Sequence, residues 1–280
     1  MRIGGVARYF AEVETKEDVE EALKFSMKHE LKIIPLGSGS NTIFADTVDA
    51  LVVQVKHAKT DIQDSMVTVG AGKNLAMLMN EVARFGLDLS SLTGIPGTIG
   101  GAIFGNAGQG PKGVWIDSFV ESVTVYDGTW KTLSRDECGF GYRESIFKSG
   151  KWKVESGTLG GLIIWEVTLK LPRSDPAAMT TNIQTLLQKR IETQPHAKTA
   201  GSCFKAVGDT PAWKLIDAVG LRGYKVGGIE ISPKHANFLM NTGEGTYANA
   251  VAVVEEVKKK ISENLEVEMR FFERDGSLRF

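Results

Sequence analysis

Between Gly94 and Gly110 the chain reads GIPGTIGGAIFGNAGQG, glycines broken mainly by small and apolar residues with no acidic or basic side chain. A flexible linker would be rich in polar residues and would lack the Ile-Pro, Thr-Ile and Ile-Phe pairs seen here. Glycine admits positive φ and lets another group come to van der Waals contact. The pattern predicts a loop anchored by Ile95, Ile99, Ile103 and Phe104, with bare backbone N–H groups turned toward an anion. A diphosphate is the usual guest of such a concavity. A second loop, Gly37-Ser38-Gly39-Ser40-Asn41, follows the buried-strand run Lys32–Leu36. A strand emptying into a Gly/Ser/Asn loop presents donors in the same way. Thr42 stands where the third glycine of a dinucleotide fingerprint would be, and no Gly-Lys-Ser/Thr follows, so neither that fingerprint nor a P-loop is present. Two loops of this kind point to one extended nucleotide held from two sides. The bland alternative is a tightly packed glycine corner that binds nothing.

Three polar clusters carry the remaining chemistry: Gly141-Tyr142-Arg143-Glu144-Ser145-Ile146-Phe147-Lys148, Ala200-Gly201-Ser202-Cys203-Phe204-Lys205 and Leu265-Glu266-Val267-Glu268-Met269-Arg270. Each alone reads as a surface Arg, a turn Ser or an exposed strand Glu. Cys203 has no His or Asn/Asp in a recognisable partner motif, so it is read as a small buried thiol. Ser202 lacks the G-x-S-x-G context of a hydrolase elbow. The four histidines show no H-x-x-x-H or H-E-x-x-H spacing, and no metal site is expected.

These groups must be positioned by elements that the pattern makes legible. Val6–Val13 reads as a strand, Thr15 as the N-cap of a helix to His29, and 32–36, 51–55 and 66–69 as further strands. Asn74–Phe85 reads as a helix stopped by Gly86. After the long glycine loop, Phe119–Tyr126 and Trp130–Leu133 flank an Asp127-Gly128 turn, a hairpin signal, and Leu162–Leu171 is a long strand. Pro172–Pro176 breaks the pattern and marks a boundary. Helices are expected over 177–193, 212–219 and 247–264, and a closing strand over 265–272. The spacing is not that of regular βαβ units, so the fold class is α+β.

With 280 residues the chain has material for two domains. Its net charge of −1 supplies no general field for nucleic acid or an anionic membrane. Apolar stretches are strand-sized, the first residues carry no signal-peptide core, and two cysteines make no disulfide framework. A cytoplasmic monomer, binding neither membrane nor nucleic acid, is the expectation.

Taken in order, the motifs resemble the UDP-N-acetylenolpyruvoylglucosamine reductase family over nearly the whole chain. Arg2–Gly5 is similar to its R-I-G-G start, Gly37–Asn41 to its G-x-G-S-N loop, and Gly94–Gly108 to its G-I-P-G-T-I-G-G-A…N-A-G loop. Tyr142–Lys148 resembles Y-R-x-S-x-F-K, Gly201–Lys205 resembles G-S-x-F-K, Ile231–Phe238 resembles I-S-x-K-H-A-N-F, and Glu266–Arg270 resembles E-x-E-V-R with Met269 for Val. The chain departs from the family where Ala206-Val207 replaces Asn-Pro after Lys205, where Lys198-Thr199 precedes Ala200, and where Gln109-Gly110-Pro111 follows Gly108. Its length resembles the shorter subclass, which lacks an inserted tyrosine-bearing loop.

The resemblance implies a two-lobed FAD-binding domain of the vanillyl-alcohol-oxidase type over 1–172, its lobes dividing near 57, then a smaller α+β substrate domain over 173–280 whose last strand, within 265–280, returns to the FAD domain. It implies an oxidoreductase of peptidoglycan precursor synthesis, and so of cell-wall biogenesis, cell shape and division. NADPH is oxidised by way of non-covalent FAD, and the enolpyruvyl ether of UDP-N-acetylglucosamine is reduced to UDP-N-acetylmuramate, the two nucleotides taking turns in one pocket. The implied cofactor contacts are Gly37, Ser38, Gly39, Ser40, Asn41, Gly97, Thr98, Gly100, Gly101 and Asn106. The implied catalytic residues are Ser202 as proton donor, Arg143 as carboxylate and enolate clamp, and Glu268, protonated by burial, on the enol. Tyr142, Lys205 and Asn237 are the implied substrate contacts. Two other readings are an FAD-dependent sugar or alcohol oxidase, which often tethers FAD through His or Cys, and a non-catalytic nucleotide-binding protein, which needs none of Arg143, Ser202 and Glu268.

Overall fold

The computed structural model describes residues 1–109, 113–149, 162–196, 198–261 and 264–280. In chain order the elements are β1 (Val6–Val13), α1 (Lys16–Lys28), β2 (Ile33–Leu36), β3 (Thr42–Phe44), β4 (Thr47–Val55), β5 (Thr60–Gln63), β6 (Met66–Gly70), α2 (Leu75–Ala83), α3 (Ile99–Phe104), β7 (Val120–Tyr126), β8 (Trp130–Ser134) and β9 (Ile163–Lys170). They continue with α4 (Pro176–Thr193), β10 (Lys198–Ser202), α5 (Ala212–Ala218), β11 (Lys225–Val226), β12 (Ile229–Ile231), β13 (Phe238–Asn241), α6 (Tyr247–Lys260) and β14 (Arg270–Phe272). Residues 110–112, which include Gly110 and Pro111 of the Gln109-Gly110-Pro111 departure, lie outside the described residues. Among the described residues no helix is long and apolar enough to cross a membrane, and no three His, Cys, Asp or Glu side chains gather as a metal site would require.

The chain packs as two compact units. One holds residues 9–38 and 50–187, the other residues 1–8, 39–49 and 188–280. Sequence pattern suggests a break at 172/173, whereas the units divide inside α4 and again on either side of β3.

In the larger unit an antiparallel sheet runs β5-β6-β9-β7-β8. Its inner face, with Val67, Val69, Val123, Val125, Val167 and Leu169, packs with Leu75, Leu78 and Val82 of α2 and Ile99 and Ile103 of α3. The same unit holds β2 with the later residues of β1 and β4 in the order β1-β4-β2, with β2 and β4 parallel. Val19, Ala22 and Leu23 of α1 close a separate core with Val13, Ile33, Leu51 and Val53. The start of α1 is fixed locally, as its sequence predicts. Asp18 N–H donates to Thr15 Oγ1 at 3.1 Å and Thr15 N–H donates back to Asp18 Oδ2 at 2.9 Å, a capping box. Asn74 caps α2 by accepting from Met77 N–H at 3.1 Å.

The smaller unit is built on an antiparallel sheet, β10-β13-β12-β11, with α5 and α6 supplying Ile216, Val253, Val254 and Val257 to its core. β3 and β14 form a separate parallel pair, Arg270 opposite Thr42 and Phe271 opposite Ile43. The sequence predicts one closing strand over 265–272, but only Arg270–Phe272 is strand. The reason is a change of partner. Glu266 and Glu268 bond to the backbone of Lys205 and Cys203, whereas Arg270 N–H donates to Asn41 O at 3.0 Å. The chain crosses from one neighbour to the next and cannot keep one ladder. The predicted glycine loop also hides an element, since Ile99–Phe104 forms α3 with Thr98 as its N-cap.

Candidate active site

In the larger unit the two glycine segments meet. Gln54 Nε2 donates to Gly37 O at 2.8 Å, tying the end of β2 to β4. A Cβ at Gly37 would lie 2.7 Å from Thr98 Oγ1. That hydroxyl is not free to swing away, because it accepts from Gly101 N–H at 3.3 Å. Gly37 is therefore glycine so that the loops can touch. Among the described residues no protein acceptor meets the N–H groups of Gly37, Ser38, Gly97 or Thr98. Those four are the donors left for an anion.

The N–H groups one turn later are not bare, contrary to the expectation for this segment. Ile99 N–H donates to Lys73 O at 2.8 Å and Gly100 N–H to Ala71 O at 2.8 Å. A Cβ at Gly100 would come 2.9 Å from the Ala71 Cβ. Gly100 is thus glycine for close packing inside the protein. Gly101 is exposed on α3, and its N–H is held by the Thr98 cap. Asn106 is fully buried; its Nδ2 donates to Gly141 O at 2.9 Å and its Oδ1 accepts from Asp117 N–H at 3.3 Å. With both ends of the amide committed to backbone, Asn106 braces the loop that follows.

That loop carries Tyr142 and Arg143. Gly141 and Glu144 exchange two backbone hydrogen bonds, Gly141 N–H to Glu144 O at 3.0 Å and Glu144 N–H to Gly141 O at 3.1 Å. Tyr142 and Arg143 sit at the tip, with the Tyr142 ring 5.8 Å from that of Trp115. Arg143 has φ 56°, a left-handed conformation that costs an L-residue roughly 1–2 kcal/mol. Strain of this kind persists where the surroundings over-determine it. Arg143 Nη2 donates to Gly108 O at 2.8 Å, Lys148 Nζ donates to Arg143 O at 2.9 Å, and Ser145 Oγ donates to Phe104 O at 2.6 Å. The guanidinium is held on a rigid turn.

In the smaller unit Gly39 has φ 66° with open space around a would-be Cβ, so backbone conformation alone demands glycine there. Ser40 lies next to it, partly buried. The Asn41 Oδ1 atom is buried and has no partner among the described residues. Leaving such an oxygen unmatched costs roughly 1–3 kcal/mol, which a ligand donor would recover.

Ser202 ends β10 beyond an irregularity in the β10–β13 register, which falls between Thr199 and Ser202. Gly201, inside that bulge, has φ 79°. Bulges re-aim side chains, and the Ser202 hydroxyl has no protein partner among the described residues. The next residues are clamped. Cys203 N–H donates to Asn237 O at 2.8 Å, and Glu268 N–H donates to Cys203 O at 2.7 Å. The backbone thereby sets Glu268 beside the Ser202–Cys203 step. Cys203 is fully buried, and burial pushes its thiol far up. It stays protonated at neutral pH, the inert thiol that its sequence context suggests.

Asn237 and Lys205, implied above as substrate contacts, both have partners within the protein. Asn237 Oδ1 accepts from Phe204 N–H at 2.9 Å and its Nδ2 donates to Phe204 O at 2.8 Å. The Lys205 ammonium lies 2.6 Å from Glu266 Oε1, with its side chain nearly buried. Both groups hold the Ser202–Lys205 segment in place. The Asn237→Ala variant leaves two buried backbone groups of Phe204 unmatched. A loss of about 2–4 kcal/mol is expected, a fall in melting temperature of roughly 5 °C or more. A melt at the parent temperature would show that the clamp carries no stability. Gln54, Ala71 and Lys148 also shape the site; only Lys148 lies in a cluster that the sequence singles out, while Gln54 and Ala71 meet Gly37 and Gly100 from far along the chain.

Comparison with known proteins finds two family models in the chain. The family model described as UDP-N-acetylenolpyruvoylglucosamine reductase, C-terminal domain, matches residues 194–271, and an FAD binding domain matches residues 7–134. The chain is 33% identical to UDP-N-acetylenolpyruvoylglucosamine reductase of Thermotoga maritima over 96% of its length and 92% of that protein. It is 31% identical to the protein of the same name from Trichormus variabilis, over 94% of this chain and 78% of that one. The crystal structure of the Thermus caldophilus reductase, MurB, superposes with a TM-score of 0.79 at 31% identity, covering 94% of this chain and 91% of that one. On this similarity across almost its whole length, the chain belongs to the UDP-N-acetylenolpyruvoylglucosamine reductase family.

Proposed function

We propose that this chain reduces UDP-N-acetyl-3-O-(1-carboxyvinyl)-glucosamine to UDP-N-acetylmuramate with NADPH and FAD, in peptidoglycan precursor synthesis. The observation that carries this reading is the bulge that presents an unpartnered Ser202 hydroxyl next to the anchored Glu268 backbone, within a chain of this family. The backbone N–H groups of Gly37, Ser38, Gly97 and Thr98 would hold the FAD diphosphate, with the Asn41 side chain accepting from the cofactor. Bound FAD supplies the two-electron relay between NADPH and the enolpyruvyl ether.

The side chains manage charge and proton. Hydride arriving at the β-carbon leaves negative charge on the α-carbon, spread into the carboxylate. Arg143, a fixed cation with a planar donor fork, takes that growing charge. Ser202 gives its hydroxyl proton to the α-carbon; a carbanionic acceptor is basic enough that a weakly acidic hydroxyl serves. The new C–H bond completes the product, and the serine oxygen recovers a proton from solvent. Glu268 orients the enol form, and Tyr142 contacts the substrate. The reading has the chain working as a monomer in the cytoplasm, where both nucleotides are made, without nucleic acid or membrane; elution at the mass of one chain is the expected size-exclusion result.

The purified protein is expected to be yellow, with bands of oxidised FAD released by acid into the supernatant. NADPH should bleach it, and the enolpyruvyl sugar should return the colour. Colourless protein that takes up no added FAD would overturn the reading. Release of no flavin from a yellow acid pellet would instead favour a covalent oxidase.

A further inference from the structure

We infer that Lys148 is a positioning residue for Arg143, a role that rests on the reading of Arg143 above. Lys148 closes the polar cluster that begins at Gly141. Its side chain is 15% exposed, so the ammonium is largely withdrawn from water and must be matched inside the protein. It donates to the Arg143 carbonyl at 2.9 Å, and the Glu144 carboxylate lies at 4.0 Å. Arg143 is the residue of this turn held at φ 56°. The ammonium therefore grips the carbonyl of the strained residue itself.

The foot of the brace is fixed as well. Lys148 N–H donates to Ser145 O at 3.1 Å, and the buried Ser145 hydroxyl donates to Phe104 O at 2.6 Å. The far end of the guanidinium is held on Gly108 O. Backbone and fork are thus pinned at separate points; without the ammonium the peptide after Arg143 keeps the Glu144 N–H bond to Gly141 O but loses the hold on its carbonyl, and can tilt. The fork would then turn away from its line on Gly108.

The test is a double-mutant cycle on single-turnover oxidation of the NADPH-reduced holoenzyme by the enolpyruvyl sugar. Lys148→Met keeps the length and removes the charge. It is expected to slow this step about 10²-fold, the cost of an ångström-scale misplacement, with little change in the Kd of the sugar nucleotide for the oxidised enzyme. In an Arg143→Ala background the same change should cost less than about twofold, because groups that act through one another are not additive. Lys148→Arg, which keeps a cationic donor, should recover most of the rate, and it carries the cycle should Lys148→Met fail to fold. Losses that multiply, or a weakened Kd with an unchanged rate, overturn the positioning role while leaving Arg143 in its own. A parent rate in Arg143→Ala alone overturns the functional reading beneath it.

Discussion

Ser202→Ala is expected to leave bleaching by NADPH close to the parent rate while slowing the return of colour with the enolpyruvyl sugar by roughly 10²–10⁴-fold, the usual worth of a positioned general acid. The asymmetry follows from where the proton is needed. Reduction of the cofactor adds nothing to the sugar's α-carbon, whereas product formation cannot finish without a proton there. Affinity for the sugar nucleotide should change little, since one hydroxyl is lost. The fold should hold, because that hydroxyl has no protein partner among the described residues and Ser202 is only partly buried. Ser202→Cys should keep part of the activity, a thiol being able to donate. Stopped-flow absorbance of the two half-reactions decides the matter. Equal slowing of both would make Ser202 a structural or cofactor-positioning residue.

Arg143→Gly separates function from stability. Relief of the left-handed backbone is worth roughly 1–2 kcal/mol. Against it stand roughly 0.5–1 kcal/mol for the freer unfolded glycine and about 1 kcal/mol for the lost hydrogen bond to Gly108. The terms nearly cancel, so the melting temperature should move by only a few degrees. The reaction should fall by about 10²–10³-fold, the cost of removing a group aimed at developing charge. A protein that melts as the parent does but turns over slowly shows that Arg143 is kept in a strained conformation for chemistry. Full activity in that variant would remove Arg143 from the mechanism.

The sequence by itself determined what local physics determines. Caps at Thr15 and Asn74, the stop at Gly86, the hairpin around Asp127-Gly128 and the strand-to-loop step at Gly37 depend on residues a few positions apart. The residues proposed for charge and proton transfer were legible as well, because Ser202, Arg143 and Glu268 lie in compact motifs. Tertiary structure alone decided what each glycine and amide is for. Gly37 is small because Thr98 lies against it, and Gly100 because Ala71 does. Asn237 and Asn106 look like ligands in sequence, and the fold turns both ends of each amide onto backbone, since an amide reads the same whether its partner is a substrate or a backbone far along the chain. The final strand shortens because its backbone serves first the Cys203–Lys205 segment and then β3. A periodicity of two reports that a segment is extended, and only the fold says which neighbour it meets.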